Sequence, residues 1–341
     1  MNPFDKLRVK YIDCHTHAHF AAFKDDYKEV INRALEAGVA VINVGTQKDT
    51  SAKAVEVAHQ FRENVLAVVG LHPIHTDKSF HDEQELGLLT QTNADSTRTD
   101  AEKKSGGFTP LEVPSKIGAG TSSSLPLTGF TSRGEDFDYE YYKKLALDDR
   151  VVAIGECGLD YYHLERGTWN VEQKSKLYSA EASKGKQKEV FIKQIELARE
   201  VGKPLMIHCR GSTGSPSDAF GDLITILEGN KKKLNERPGV VHFFTGTKDH
   251  AKELLDMGFY FTFGGVVTFT RDYDEIIKMI PLDRILSETD APYVTPEPFR
   301  GKRNEPVYVV YVVRKLAELK GVSEEVMVEQ IWKNAKEMFG I

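Results

Sequence analysis

His15 and His17 stand one residue apart in Asp13-Cys14-His15-Thr16-His17. In extended chain, residues two apart point to the same side, so both imidazoles can meet one divalent ion. Four more residues offer matching chemistry near the ends of short apolar runs. They are Glu156 in Ala153-Ile154-Gly155-Glu156, His208 in Leu205-Met206-Ile207-His208, His242 in Val240-Val241-His242, and Asp290 in Ser287-Glu288-Thr289-Asp290. Six nitrogen and oxygen donors suit two divalent ions that share a carboxylate. Ions ~3.5–4 Å apart can hold a hydroxide and polarise a scissile ester or phosphodiester. Asp290 is then placed to orient that water and take its proton. Each residue alone has a plainer reading. A single strand histidine is more often a satisfied structural group, and a buried Glu needs only a salt bridge to offset its burial. The joint placement of six such groups on strand ends, in a chain with 11 histidines, favours the metal.

The elements that must position them are eight apolar, β-branched runs at 9–14, 39–44, 66–71, 151–155, 204–209, 240–244, 259–263 and 284–287. Each is too short for a helix and reads as a strand buried on both faces. Helical patterns fall at 27–37, 50–61, 136–147, 189–200, 218–227, 248–257, 273–279, 306–320 and 323–339. Gly38 supplies a stop for the first and Ser323 a cap for the last. The alternation predicts a parallel α/β fold, and eight strands is the number that closes a (β/α)8 TIM barrel of ~250 residues. A doubly wound open sheet has the same periodicity. In a barrel the carboxyl ends of the strands face one mouth, so five strands would bring the six candidates together. Cys14, Cys157 and Cys209 each adjoin a candidate and are expected to face outward, toward the helices.

A single domain over 1–341 is expected, with one insertion. Of the 45 residues from 90 to 134, 24 are Ser, Thr, Gly or Pro, and apolar periodicity is almost absent. Such a segment cannot bury enough surface to offset its ordering entropy and reads as a flexible inserted loop. A second irregular, charged stretch at 163–188 is expected to start the next crossover helix. The net charge of −6 argues against a broad basic face for nucleic acid. No run of ~18 apolar residues is present, so no transmembrane helix is expected. Three cysteines and an N-terminus without an apolar core point to a cytoplasmic protein.

Seven segments together resemble the TatD family of metal-dependent deoxyribonucleases, within the amidohydrolase-like barrels. They are Asp13-Cys14-His15-Thr16-His17, Gly70-Leu71-His72-Pro73, Ile154-Gly155-Glu156-Cys157-Gly158-Leu159-Asp160-Tyr161, Pro204-Leu205-Met206-Ile207-His208-Cys209-Arg210, His242-Phe243-Phe244-Thr245-Gly246, Glu288-Thr289-Asp290-Ala291-Pro292-Tyr293, and Arg300-Gly301-Lys302-Arg303-Asn304-Glu305-Pro306. They fall in family order and cover nearly the whole chain apart from the insertion. The resemblance implies the barrel, and it implies two divalent metal ions. His15, His17, Glu156 and Asp290 would hold one; Glu156, His208 and His242 would hold the other. Mg²⁺ is the ion the resemblance implies, whereas the His-rich donor set prefers Mn²⁺ or Zn²⁺. This sequence departs from the family in Cys157, where Ile is usual, in His19 two residues beyond the His-x-His pair, and in the insertion after the third strand.

Other mouth residues follow from the same placement. His72 ends the third run and is a candidate substrate contact. Arg210 follows a donor strand and can fork onto phosphate oxygens. Arg300, Lys302 and Arg303 form a basic loop after the eighth strand, with Arg300 the substrate-binding candidate. Tyr161 and Tyr162 can stack on bases, and Lys231-Lys232-Lys233 reads as solvated surface. The leading expectation is a deoxyribonuclease trimming DNA ends 3′ to 5′, with DNA ends or single strands as the partner. An amidase, lactonase or deacylase on a small molecule would use the same metal chemistry. A non-catalytic metal-binding barrel is the third reading, against which the intact donor set stands.

Overall fold

The structure, a computed structural model, describes residues 9–81, 130–165, 174–211 and 218–341. Eight parallel strands pair in chain order: β1 (Tyr11–Thr16), β2 (Val39–Val44), β3 (Val65–Val69), β4 (Val151–Asp160), β5 (Leu205–Arg210), β6 (Gly239–Val241), β7 (Tyr260–Phe263) and β8 (Ile285–Ser287). The order never reverses, which separates the (β/α)8 barrel from a doubly wound sheet. Side chains close the seam between first and last strands. Ser287 Oγ donates to the Ile12 carbonyl at 2.9 Å. Thr289 donates to Asp13 twice, from its backbone N–H at 2.8 Å and from its hydroxyl at 2.5 Å.

Helices cover the barrel: α1 (Tyr27–Glu36), α2 (Lys48–Gln60), α3 (Tyr139–Ala146), α4 (Lys174–Val201), α5 (Ala219–Gly229), α6 (Lys248–Asp256), α7 (Asp274–Met279), α8 (Val309–Lys320) and α9 (Glu324–Phe339). The expected stops and caps are present. Gly38 follows α1 at φ 77°, and the Ser323 hydroxyl accepts from Val326 N–H at 3.3 Å. Every residue of β2 and β3 is buried, and all but Asn43 are Val, Ile, Leu or Ala, as two-sided burial demands. Cys14, Cys157 and Cys209 are free and buried, packed in the core cluster with the apolar strand residues.

Two bounds differ from expectation. The stretch at 163–188 does start the crossover helix, as expected, and α4 already begins at Lys174 and runs 28 residues. Its buried positions include Ser183, Lys184 and Gln187, so a search for apolar periodicity starts the helix too late. The barrel rhythm also breaks earlier than residue 90. Lys78–His81 and Phe130–Arg133 form a separate two-stranded sheet. By internal contacts the chain divides into Met1–Ser79 with Ser132–Ile341, which carries the barrel, and Phe80–Thr131. Most of the loop expected at 90–134 lies outside the described residues.

Candidate metal centre

Glu156 stands at the middle of the centre because β4 departs from regular pairing there. Its register against β5 shifts between Ile154 and Cys157, leaving an extra residue on β4. Two glycines permit this. A Cβ on Gly155 would lie 2.4 Å from the Met206 carbonyl oxygen, and one on Gly158 only 2.0 Å from that of His208. Gly158 also has φ of 132°, which favours glycine. The Glu156 side chain consequently enters the barrel axis and is almost wholly buried.

Its two oxygens face two different groups. Oε2 lies 3.5 Å from His15 Nε2 and 3.7 Å from His17 Nε2. Asp290 Oδ1 completes this half, 3.4 Å from His17 Nε2 and 3.8 Å from His15 Nε2, and the two Nε2 atoms are 3.2 Å apart. Oε1 lies 2.7 Å from His242 Nε2, 3.0 Å from His208 Nδ1 and 3.2 Å from His72 Nε2. Metal bonds of ~2.0–2.2 Å place neighbouring donors about 3.0–3.6 Å apart; most of these separations fall in that range, and the 2.7, 3.7 and 3.8 Å contacts lie within 0.3 Å of it. Asp290 reaches inward because the chain turns at φ 55° there, and its N–H donates to the His15 carbonyl at 2.9 Å. His242 lies just past β6 rather than within the sixth strand. The strand is shorter than the apolar run predicts, since Phe243 turns the chain at φ 45°.

The charges support one another. Burial alone would raise the Glu156 carboxyl, but His72, His242 and His15 hold it well below the usual carboxylate range. Burial likewise opposes ionisation of Asp290, and its bond to His17 together with the charges of His15, His17 and His242 outweighs that. His17, His208 and His242 are raised against their burial, chiefly by Asp290, Asp160 and Glu156 respectively. Burial lowers His15, and it lowers His72 to about 4.

The far nitrogen of each ring decides what the near one can do. His17 Nδ1 donates to the Val44 carbonyl at 2.7 Å, which leaves a lone pair on its Nε2. His208 Nε2 donates to Asp160 Oδ2 at 3.0 Å, which leaves a lone pair on its Nδ1. His72 is the reverse case. Its Nδ1 accepts from Ile74 N–H at 3.1 Å, so the neutral ring carries its proton on Nε2, toward Glu156. It sits among the donors but presents a hydrogen rather than a lone pair.

Sequence reasoning missed several supports. Asp160, wholly buried, orients His208. Gln187 and Gln194 project from α4 two turns apart. Gln187 pairs its amide with the N–H and carbonyl of Asp160 at 2.9 and 3.1 Å. Gln194 does the same for Leu71, both at 2.9 Å, and so anchors His72. Asn304 ties the loop after β8 by donating to the Thr289 and Tyr293 carbonyls at 2.8 and 2.6 Å. The sequence carries no signal for such roles, because burial of a Gln or Asn beside a strand end is visible only in the fold.

The outer candidates divide. Arg210 lies 4.0 Å over the Tyr162 ring, at the carboxyl end of β5. Arg300 lies 3.9 Å over Phe269 and donates to the Thr295 carbonyl at 2.7 Å. Arg303 is engaged in structure, paired with Asp26 at 2.6 Å and bonded to the Ala22 carbonyl. Tyr161 is buried with its hydroxyl on Asp222 at 2.7 Å, so it offers no face for a base. His19 is outside the donor groups, and burial lowers it to about 3. Lys231–Lys233 is exposed between α5 and β6, at the end opposite the centre.

A metal-dependent hydrolase of the barrel type is the class that this fold and this donor cluster define. The sequence profile of the TatD-related DNases matches residues 12–340, and the chain belongs to that family. It is 32% identical over 332 residues to the uncharacterised metal-dependent hydrolase YabD of Bacillus subtilis, covering 96% of this chain and 98% of that protein. It is 28% identical over 327 residues to the 3′-5′ ssDNA/RNA exonuclease TatD of Pantoea ananatis, covering 94% and 95%. Among solved structures, YjjV, a TatD homologue from Escherichia coli, shares the fold at a TM-score of 0.66 and 22% identity, covering 98% of this chain and 99% of that one.

Proposed function

We propose that this chain is a two-metal phosphodiesterase that removes nucleotides from the 3′ ends of DNA. The observation that carries the reading is Glu156, whose two carboxylate oxygens face separate donor groups at 2.7–3.7 Å. His15, His17 and Asp290 would hold one ion, and His208 and His242 the other, with Glu156 shared. Bound there, the ions supply charge for the phosphoryl oxygens and an acidified water. Asp290, 18% exposed, is the carboxylate of the set most open to the mouth and takes the proton from the attacking water. His72 donates its Nε2–H to Glu156 and keeps that carboxylate turned between the two groups. Arg210, 4.0 Å over the Tyr162 ring and with no ion pair among the described residues, is available for a phosphate. Arg300 is the second contact. The exonuclease named in Pantoea ananatis supports nucleic acid as the substrate, and the net charge of −6 suits a few phosphate contacts at one mouth rather than a broad grip.

End-labelled single-stranded DNA, duplex DNA and RNA, each offered with Mg²⁺, Mn²⁺ or Zn²⁺, test this. The expected result is stepwise shortening from the 3′ end of single strands, abolished by chelator. Metal-dependent cleavage of small amides or lactones with intact DNA would overturn it in favour of an amidohydrolase.

A further inference from the structure

Four of the rings around the centre can offer a lone pair to an ion, and two of them have the far nitrogen satisfied by Val44 or Asp160. The other two, His15 and His242, do not: their Nδ1 atoms are buried without a hydrogen-bond partner. Their rings stack with centroids 3.9 Å apart and planes 12° from parallel. Both turn Nε2 toward Glu156. An Nε2 lone pair in a neutral imidazole requires the proton on Nδ1, so the pair presents two N–H groups on its far side.

Glu288 meets that side. It is wholly buried. Its Oε2 accepts the Thr262 hydroxyl at 2.6 Å and lies 3.7 Å from His242 Nδ1. Its Oε1 is buried with no partner. Glu288, His15 and His242 each bring an atom to within 4.8 Å of the others. Three unpaired buried atoms in one place are costly, and two donors with one carboxylate are mutually sufficient. Reading the trio as a third ion site would demand a metal on both nitrogens of each ring, stripping both of their protons.

We propose that Glu288 is a single positioning carboxylate for both halves of the centre, accepting Nδ1–H of His242 on Oε2 and Nδ1–H of His15 on Oε1. One residue then sets the tautomer of a ligand in each ion's shell, which couples the two sites through the protein as Glu156 couples them directly. The inference rests on the two-ion reading above. It also explains why Glu288 precedes Thr289 and Asp290: one short segment closes the barrel seam, supplies a donor and orients two others.

Zn²⁺ titration of metal-free protein, with ion content and ¹⁵N histidine spectra, tests the assignment. Wild type should bind two ions, with His15 and His242 both protonated on Nδ1. Glu288→Gln keeps the volume but has one accepting oxygen and an amide that opposes an N–H. It should fold, as judged by circular dichroism, and lose ~10–100-fold in affinity at both ions, the scale for such outer partners. Weakening of one ion alone, or less than about twofold at either on that scale, would overturn the shared role and leave the two-ion reading standing. His15 or His242 metallated through Nδ1 in the wild-type spectra would overturn it even if the variant misfolds, whereas His208 is expected to bind through Nδ1. Fewer than two ions in the wild type would sink both readings.

Discussion

At the residue scale, three side chains have distinct duties that substitutions can separate. Glu156→Ala removes a donor from both halves, so ion content should drop at both and hydrolysis should be lost while circular dichroism keeps the folded signature. Wild-type turnover with saturating Mn²⁺ would contradict the shared carboxylate. Asp290→Asn keeps one oxygen and loses the charge. The His208 and His242 half should keep its ion, while single-turnover rate falls ~10²–10⁴-fold, the scale of general-base help. His72→Phe tests the tautomer argument. The ring is placed as an N–H donor to Glu156, so both ions should stay bound while turnover drops. Loss of one ion from this variant would make His72 a ligand after all.

At the element scale, the centre depends on how one helix clamps two strands. α4 lends Gln187 to the end of β4 and Gln194 to the turn after β3, each amide standing in for a neighbouring strand. Gln194 is wholly buried. Gln194→Ala strands the Leu71 N–H and carbonyl away from water, at ~1–3 kcal/mol each. Urea unfolding should show a loss of roughly 2–6 kcal/mol by that arithmetic, with no change in the slope of the transition. A loss below about 1 kcal/mol on that scale would mean that water or a shifted strand replaces the amide. These clamps were illegible in the sequence because a glutamine on a helix is ordinarily a surface residue. Only its approach to a strand end reveals the role. α4 shows the same effect: its apolar periodicity begins only at 189, although the helix begins at Lys174.

At the scale of the whole molecule, the histidines make stability depend on pH in two opposed ways. Burial lowers His15, His19 and His72 below the ordinary 6.5. The unfolded chain binds more protons there, so stability climbs as pH rises toward 6.5. His17, His208 and His242 are raised above 6.5, because their carboxylate partners overcome burial. The folded chain holds those protons longer, so their contribution is lost as pH rises through the folded values. Metal-free protein should therefore be most stable near 6.5. Ions bind deprotonated rings, so saturating Zn²⁺ should remove the decline on the alkaline side. Urea midpoints at about pH 5, 6.5 and 8, with chelator or with Zn²⁺, read this directly. A metal-free midpoint that keeps rising through the whole range would contradict the raised histidines. No helix among the described residues is long and apolar enough to cross a membrane, as the absence of long apolar runs predicts.

The sequence by itself determined the strand and helix alternation, since two-sided burial leaves runs dominated by Val, Ile, Leu and Ala at positions such as β2 and β3. It also determined which polar groups end those strands, since His15, His17, Glu156, His208, His242 and Asp290 interrupt apolar surroundings. Periodicity could not choose between an open sheet and a barrel; that was decided by the seam, where Ser287 and Thr289 reach Ile12 and Asp13, 275 and 276 residues away in the chain. Nor could spacing along the chain say which nitrogen of a ring faces the centre. That depends on a carbonyl at Val44, a carboxylate at Asp160 and an N–H at Ile74. Proton placement on an imidazole is a property of the partners on both of its sides, and only the folded chain brings both sides together.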